Sequence, residues 1–285
     1  MPEVVHTIAE VRAAVDVARA AGRPVVLTPT MGALHAGHLA HLDAGRAAAG
    51  PRTFTVVSVF VNPLQFGAGE DLDKYPRTLD ADVAALAEAG ADLVFAPGAD
   101  EMYPEGGVQV RIDPGPVAST YEGASRPGHF AGALTVVAKL LHIVRPDFAT
   151  FGRKDAQQLF LVERMVEDLN VPTRIVEVDI VREDDGLAMS SRNRFLGPVE
   201  RRRALALSHA LGAAASAGER GLGAALAAAR SVVADAEEVD VDYVAVVDPH
   251  TFTPVPDDHR GPVIALIAAR VGSTRLIDNA RFRLG

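Results

Sequence analysis

The chain has 285 residues, 48% of them hydrophobic and 23% charged, with a formal charge of −9 and neither Cys nor Trp. That length buries roughly three quarters of the unfolded chain's surface, enough for one large or two moderate domains without metal or disulfide staples. Zero cysteines exclude a disulfide scaffold, a thiolate zinc site, an iron–sulfur cluster and a Cys nucleophile. The acidic balance opposes broad binding of nucleic acid but leaves room for a polyanionic small molecule held by a few local cations.

Thr7-Ile8-Ala9-Glu10 is a capping-box pattern, and the Ala-rich helix it opens is expected to stop at Gly22. Strands are expected at 24–28, 53–61, 92–96, 147–151 and 173–178. Helices are expected from about Gly37 to Ala48, from Thr78 to Ala89, and over 130–143 and 155–169. Strands alternating with helices, and apolar on both faces, predict an α/β domain: a doubly wound, Rossmann-like parallel sheet over residues 1–180. Residues 182–197 are polar and without a regular period. Pro198 then opens a helix, a second follows around 221–237, and strands are expected at 241–247, 262–271 and 274–278. Gly272-Ser273 fits a two-residue hairpin turn. Residues 181–285 therefore read as a smaller C-terminal α+β domain. The first residues lack a basic start and an apolar run, and the apolar run 56–61 is far short of the ~20 residues a span needs. A soluble, cytoplasmic protein is the expectation.

Doubly wound sheets bind ligands beyond the carboxyl ends of their strands, so polar clusters that follow strands are the candidates. The first is Pro29-Thr-Met-Gly-Ala-Leu-His-Ala-Gly-His38. Gly32 and Gly37 let the backbone approach a ligand, and a helix starting near Gly37 aims amides and a positive dipole end at an anion. His35 and His38, three apart, can face one site and donate to phosphate oxygens that gain charge. The competing reading is a pair of surface histidines at a helix cap. A zinc site lacks a third ligand at a helpful spacing, and neither a Walker loop nor a Gly-x-Gly-x-x-Gly fingerprint is present. The second cluster is Asn62-Pro-Leu-Gln-Phe-Gly67, where Asn62 and Gln65 both donate and accept, as a neutral hydroxy-carboxylate ligand requires. Taken alone it also fits an ordinary loop. Lys74-Tyr75-Pro76-Arg77 would add a hydroxyl and positive charge, although such cations are commonly just solvated.

The third cluster is Phe151-Gly-Arg-Lys-Asp-Ala-Gln-Gln158. Gly152 supplies a turn, Lys154 a mobile charge for phosphate, Asp155 a cap or nucleotide partner, and Gln158 lies one turn into the helix. A lysine at a helix start opposes the dipole, which argues that Lys154 has a task. The fourth is Gly186-Leu-Ala-Met-Ser-Ser-Arg-Asn193, where two hydroxyls and Arg192 form a concentrated phosphate grip on a loop able to move. The competing reading there is a solvated turn.

Together these stretches resemble the pantothenate synthetase (pantoate–β-alanine ligase) family over nearly the whole chain. Residues 29–38 look like its form of the HIGH motif, and 182–193 like its counterpart of the KMSKS loop. Residues 59–67, 75–78, 126–140 and 151–158 also match its pattern. HIGH alone is shared with aminoacyl-tRNA synthetases and other nucleotidyltransferases, whereas the six stretches in this order are specific to this family. One departure is Arg153, where the family usually has Glu, and its side chain is expected to point outward.

The resemblance implies an ATP-dependent ligase that condenses pantoate with β-alanine through a pantoyl adenylate, releasing pyrophosphate and AMP, with Mg²⁺ accompanying ATP. It implies phosphate contacts for His35 and His38, with an acid role most often given to His38, and phosphate stabilisation by Lys154, Ser190, Ser191 and Arg192. Met31, Gly32, Gly152, Asp155, Val181 and Met189 would frame the nucleotide, within ATP-binding stretches that also hold Ala33, Leu34, Ala36, Gly37 and Arg153. Gln65 and Gln158 would hold pantoate, with Asn62, Arg126 and His129 near the second substrate or the pocket wall. Asp82 is a candidate for a water-mediated magnesium contact. A homodimer is implied, with small molecules rather than nucleic acid or membrane as partners. The rivals are another nucleotidyltransferase of the superfamily, which would need cations where Asn62, Gln65 and Gln158 stand, and a catalytically dead nucleotide sensor, which would lose the cations that are present.

Overall fold

In a computed structural model of the chain, which describes residues 1–67, 72, 75–104 and 107–285, the first capping box closes as its residue types require. The Glu10 amide donates to Thr7 Oγ1 at 3.2 Å, and the Thr7 amide donates to Glu10 Oε2 at 2.9 Å. Helix α1 (Ile8–Ala20) follows, and the chain leaves it through Gly22 at φ +69°. A three-residue strand, β1 (Glu3–Val5), precedes it and was not expected, because three residues carry too little periodicity to announce a strand.

Five further strands complete the first sheet: β2 (Val25–Thr30), β3 (Phe54–Val59), β4 (Leu93–Phe95), β5 (Phe148–Gly152) and β6 (Arg174–Val178). The order is β1-β4-β3-β2-β5-β6, and every pairing is parallel. Side chains that alternate along the strands feed two separate cores. Leu27, Val56, Leu93 and Phe95 pack with α1, α6 (His129–Val144) and α7 (Ala156–Asp168), while Val57 and Val94 pack with Leu42 of α2 (Ala36–Ala49) and Leu86 of α3 (Leu79–Glu88). The chain winds from β2 to β4 in one direction and through β5 to β6 in the other, so the order reverses between β2 and β5. That reversal is where a doubly wound sheet opens a crevice.

The chain folds as two compact units, Met1–Arg153 with Gln157–Asp179, and Lys154–Ala156 with Ile180–Gly285. The second holds α8 (Pro198–Ala217), α9 (Leu222–Ala234) and an antiparallel sheet of β7 (Val239–Val247), β8 (Gly261–Val271) and β9 (Thr274–Leu284) in that order. Pro198 stands at the helix start, where its missing N–H costs no hydrogen bond. Val271 pairs with Thr274 around a turn whose first residue, Gly272, has φ +56°. The last strand runs beyond the expected 278 to Leu284, pairing with β8 back to Gly261. Asp278-Asn279 and the polar Arg281 and Arg283 beyond them masked the strand pattern. Among the described residues no helix is long and apolar enough to cross a membrane.

Candidate active site

The first cluster begins in the last two residues of β2 and continues beyond its end, beside the reversal. Its backbone turns through Gly32 at φ +83° and Ala33 at φ +52°, then enters α2 with His35 as the cap residue. The rings of His35 and His38 stand 4.0 Å apart, so the spacing of three does bring them together. The His35 amide donates to Nδ1 of His38 at 3.3 Å. A neutral His38 therefore carries its proton on Nε2, which makes that nitrogen a donor. The amides of Ala36 and Gly37 open the helix ahead of its own hydrogen-bond ladder, the arrangement that favours an anion. Met31 lies at the start of the turn, 2.8 Å by its Sδ from Nε2 of Gln65.

Asp82 is engaged by the protein itself. Its carboxylate is 3% exposed and accepts from the amides of Ala33 (3.1 Å) and Leu34 (2.8 Å) and from the Thr78 hydroxyl (3.1 Å). The carboxylate thought to serve magnesium is engaged by the turn before His35. Among the described residues no three His, Asp or Glu side chains group where they would hold a metal. Lys74 lies outside the described residues.

Asn62 and Gln65 form a short 3₁₀ turn after β3 and are knitted to α6. Asn62, 1% exposed, donates to Gln65 Oε1 (3.1 Å) and to the Gly132 carbonyl (3.2 Å), and accepts from the Leu64 amide (3.2 Å) and the Tyr103 hydroxyl (2.7 Å). With four bonds made, Asn62 shapes the wall and holds Gln65. Burial pushes the Tyr103 phenol up from its ordinary value, so it stays a donor. Gly132 has no Cβ because one would overlap the Leu64 carbonyl. His129, on the same helix, donates from Nδ1 to the Gln65 carbonyl at 2.8 Å, and Arg126 donates to its Nε2 at 3.2 Å. The carbonyl can only accept, so the imidazole is fixed with Nδ1–H and an acceptor Nε2. Arg126 and His129 thus stand together with Gln65.

Beyond β5, Gly152 leaves room for His41, whose Nε2 would lie 3.3 Å from a Cβ there. His41 Nδ1 meets the Thr150 hydroxyl at 3.2 Å, which in turn meets Thr28 at 2.9 Å. Sequence reading missed His41, although it stands three residues after His38 and so shares its helix face. Arg153 is partly exposed and paired. It donates to Glu177 at 2.6 Å and to Asp179, which hold its guanidinium charged. Buried Gln157 was missed too: it accepts from the Glu122 amide at 3.0 Å and donates to the Val117 and Thr120 carbonyls at 2.8 and 2.9 Å. Its neighbour Gln158, the expected ligand, is half-buried in the first turn of α7.

Lys154 and Asp155 belong to the second unit. Both lie in a 3₁₀ turn just before α7, Lys154 half-buried and Asp155 exposed. The fourth cluster is more regular than expected. Met189 donates its amide to the Val181 carbonyl at 2.9 Å, Arg182 bridges Ala188, and the chain reverses at Gly186 with φ +92°. Ser190 caps a 3₁₀ turn over Ser191–Phe195, its Oγ accepting from the Arg192 amide at 3.2 Å. That leaves the hydroxyl hydrogen to donate. Arg201 of α8 donates to Glu183 at 2.6 Å and to Asp185 at 2.9 Å, while Asn193 donates to Glu183 at 2.7 Å. Arg201 and Asn193 hold Glu183 below its ordinary value of 4.5; the Leu187 amide and Arg201 do the same for Asp185. Arg182 grips buried Asp278 with two bonds of 2.7 and 3.0 Å. Ser190, Ser191 and Arg192 are therefore contiguous on a braced loop.

Known proteins match this chain over nearly its whole length. The family model described as pantoate-beta-alanine ligase matches residues 3–281. A pantothenate synthetase from Leifsonia xyli is 55% identical over 99% of this chain and 97% of its own. One from Mycobacterium sp. (strain KMS) is 56% identical over 94% of this chain and 83% of its own. The crystal structure of the Thermus thermophilus pantothenate synthetase superposes with a TM-score of 0.89 at 47% identity, covering 98% of both chains. A pantoate-beta-alanine ligase from Francisella tularensis, complexed with beta-gamma ATP and beta-alanine, gives 0.78 at 29% identity, over 98% of this chain and 97% of its own. The chain belongs to the pantoate–β-alanine ligase family.

Proposed function

We propose that this enzyme condenses pantoate with β-alanine in two steps. The pantoate carboxylate attacks the α-phosphorus of ATP, forming the acyl–phosphate bond of pantoyl adenylate as the bond to pyrophosphate breaks. The β-alanine amine then attacks the acyl carbon, loses a proton, and expels AMP. The carboxylate is already a nucleophile, so no protein nucleophile is needed. Alignment of the reactants and neutralisation of phosphate charge supply the rate.

The observation that carries this reading is the His35–His38 pair at the start of α2, with Nε2 of His38 set as a donor beside opening helix amides. In this reading His35 and His38 donate to the phosphates, and Lys154, Ser190, Ser191 and Arg192 stabilise the charge that develops on them. Met31, Gly32, Gly152, Asp155, Val181 and Met189 frame the nucleotide. Gln65 and Gln158 orient pantoate, with Asn62, Arg126 and His129 building the wall around Gln65. Residues 1–180 are the nucleotide-binding domain and 181–285 the smaller C-terminal α+β domain. Magnesium belongs to this reading only as the partner of ATP. Among the described residues no group of three His, Asp or Glu side chains would hold an ion directly, and both Asp82 oxygens already accept from backbone amides. A cytoplasmic homodimer is the form this reading carries from the family resemblance.

The test supplies ATP, magnesium and pantoate without β-alanine. Release of pyrophosphate with a stable acyl adenylate is expected, followed by AMP when β-alanine is added. Absence of pyrophosphate from folded protein under these conditions overturns the first step.

A further inference from the structure

Two consecutive residues with positive φ, Gly32 and Ala33, stand between β2 and the two histidines. Glycine adopts such a backbone at no steric cost, whereas for alanine the left-handed region is unfavourable by roughly 1–2 kcal/mol. Some interaction must hold the turn, and successive amides in it point at one place. A turn that converges backbone N–H groups makes an anion-binding concavity. Here that concavity is filled by the protein itself: the amides of Ala33 and Leu34 donate to the two oxygens of Asp82. The fit leaves no space, because a Cβ on Gly32 would lie 2.9 Å from Asp82 Oδ2.

Asp82 is held as firmly from its own side. It lies in the first turn of α3, where a negative charge is favoured, its amide donates to the Thr78 carbonyl at 2.9 Å, and its Oδ2 accepts from the Thr78 hydroxyl. A carboxylate offers acceptors only, and three donors use both of its oxygens. From Leu34 the chain passes directly to His35, whose amide in turn fixes His38. Movement of the turn would therefore carry both imidazoles and the opening amides of α2 with it.

We infer that Asp82 is a positioning residue for adenylation, a buried anion that locks the Gly32–Leu34 turn and thereby sets where His35 and His38 stand. This rests on the reaction proposed above for its rate readout, though not for its structural one. It also assigns the Ala33 and Leu34 amides to Asp82 rather than to the phosphates of ATP, leaving those of Ala36 and Gly37 for the anion.

The experiment has two arms. Hydrogen exchange of the wild-type protein, without nucleotide or magnesium, is followed by mass spectrometry on overlapping peptides covering residues 31–38. Protected amides at Ala33 and Leu34 are expected, and exchange there at the rate of an open loop overturns the inference. In the second arm Asp82→Asn replaces one acceptor oxygen by a donor that faces donors. Exchange at Ala33 and Leu34 should accelerate by about tenfold or more. Pyrophosphate release from ATP and pantoate should fall on the order of 10²-fold, the cost of a displacement near 1 Å. The magnesium concentration giving half-maximal rate should stay within about twofold of wild type, because the side chain does not meet the ion. A shift of that midpoint by about tenfold, with exchange at 31–38 unchanged, makes Asp82 a metal contact and overturns the inference. If Asp82→Asn does not fold, the wild-type arm decides. If the wild-type protein releases no pyrophosphate, the proposed reaction fails while the exchange arm still judges the lock.

Discussion

Asn279, on the last strand, donates its side-chain nitrogen to the backbone carbonyl of Lys154 at 2.9 Å, although 125 residues separate them in sequence. The adjacent Asp278 takes both arms of Arg182, the residue that opens the braced loop of Ser190, Ser191 and Arg192. Neighbouring residues of β9 thus anchor two of the candidate phosphate-binding segments of the second unit. Neither Asp278 nor Asn279 stood out in the sequence, where they read as polar residues near the end of a short strand.

If Asn279 acts by placing Lys154, its effect must vanish when Lys154 is absent. Lys154→Ala should lower the adenylation rate on the order of 10²–10³-fold, and Asn279→Ala by about tenfold. The double variant should be no slower than Lys154→Ala alone, a non-additivity that pyrophosphate-release rates measure directly. Multiplying effects would mean that Asn279 works independently of the lysine.

Gly132→Ala should damage the pantoate side of the site more than its size suggests. The new methyl would run into the Leu64 carbonyl, in the turn that carries Asn62 and Gln65. Overpacking of this kind costs about 1–3 kcal/mol and moves backbone. A raised KM for pantoate with little change in that for ATP is expected, alongside a lower melting temperature. Wild-type stability and kinetics would show that the helix and turn do not meet this closely.

Arg201 gives the second unit an acid-side dependence whose sign is fixed. Glu183 and Asp185 are held below their ordinary values of 4.5 and 3.8 when folded. Groups with a depressed folded value contribute stability above their unfolded value and lose it as pH falls through the folded one. Arg201→Met should therefore lower the melting temperature at pH 7, with the difference from wild type shrinking as the pH is taken from about 5 to below 3. Melts across that range check it, and a pH-independent difference would point to packing instead.

Arg153→Ala should leave the adenylation rate within about threefold of wild type and cost no more than about 1 kcal/mol, since its partners Glu177 and Asp179 lie at a solvated edge. Arg153→Glu should be the less stable of the two variants, because it sets a third carboxylate beside those partners. Denaturant midpoints of the two proteins provide the comparison.

Most of the architecture could be read from the sequence because its signals are local. Capping at Thr7, proline at the start of α8 and glycine in the hairpin turn each act within a few residues. Strands buried on both faces betray themselves as apolar runs, and β1 escaped notice only because it is three residues long. The His35–His38 spacing likewise needs nothing beyond helix geometry to bring two rings to one side. His41 obeys the same spacing, but its partner Thr150, itself bonded to Thr28, comes from a strand 109 residues away in sequence.

By itself, then, the sequence determined the alternating elements, the order of the motif loops and the family resemblance, all of which depend on near-neighbour chemistry and spacing. The tertiary structure alone decided what individual polar side chains do. Asp82 accepts from the turn before His35, Asn62 bonds Gln65 and the Gly132 carbonyl, Arg153 pairs with Glu177, and Gln157 donates to the Val117 carbonyl. A carboxylate or amide in a sequence advertises its capacity for hydrogen bonds but not its partners. Those partners are brought within hydrogen-bond reach only by folding, and where the side chain is buried, as in Asp82 and Gln157, it must use them.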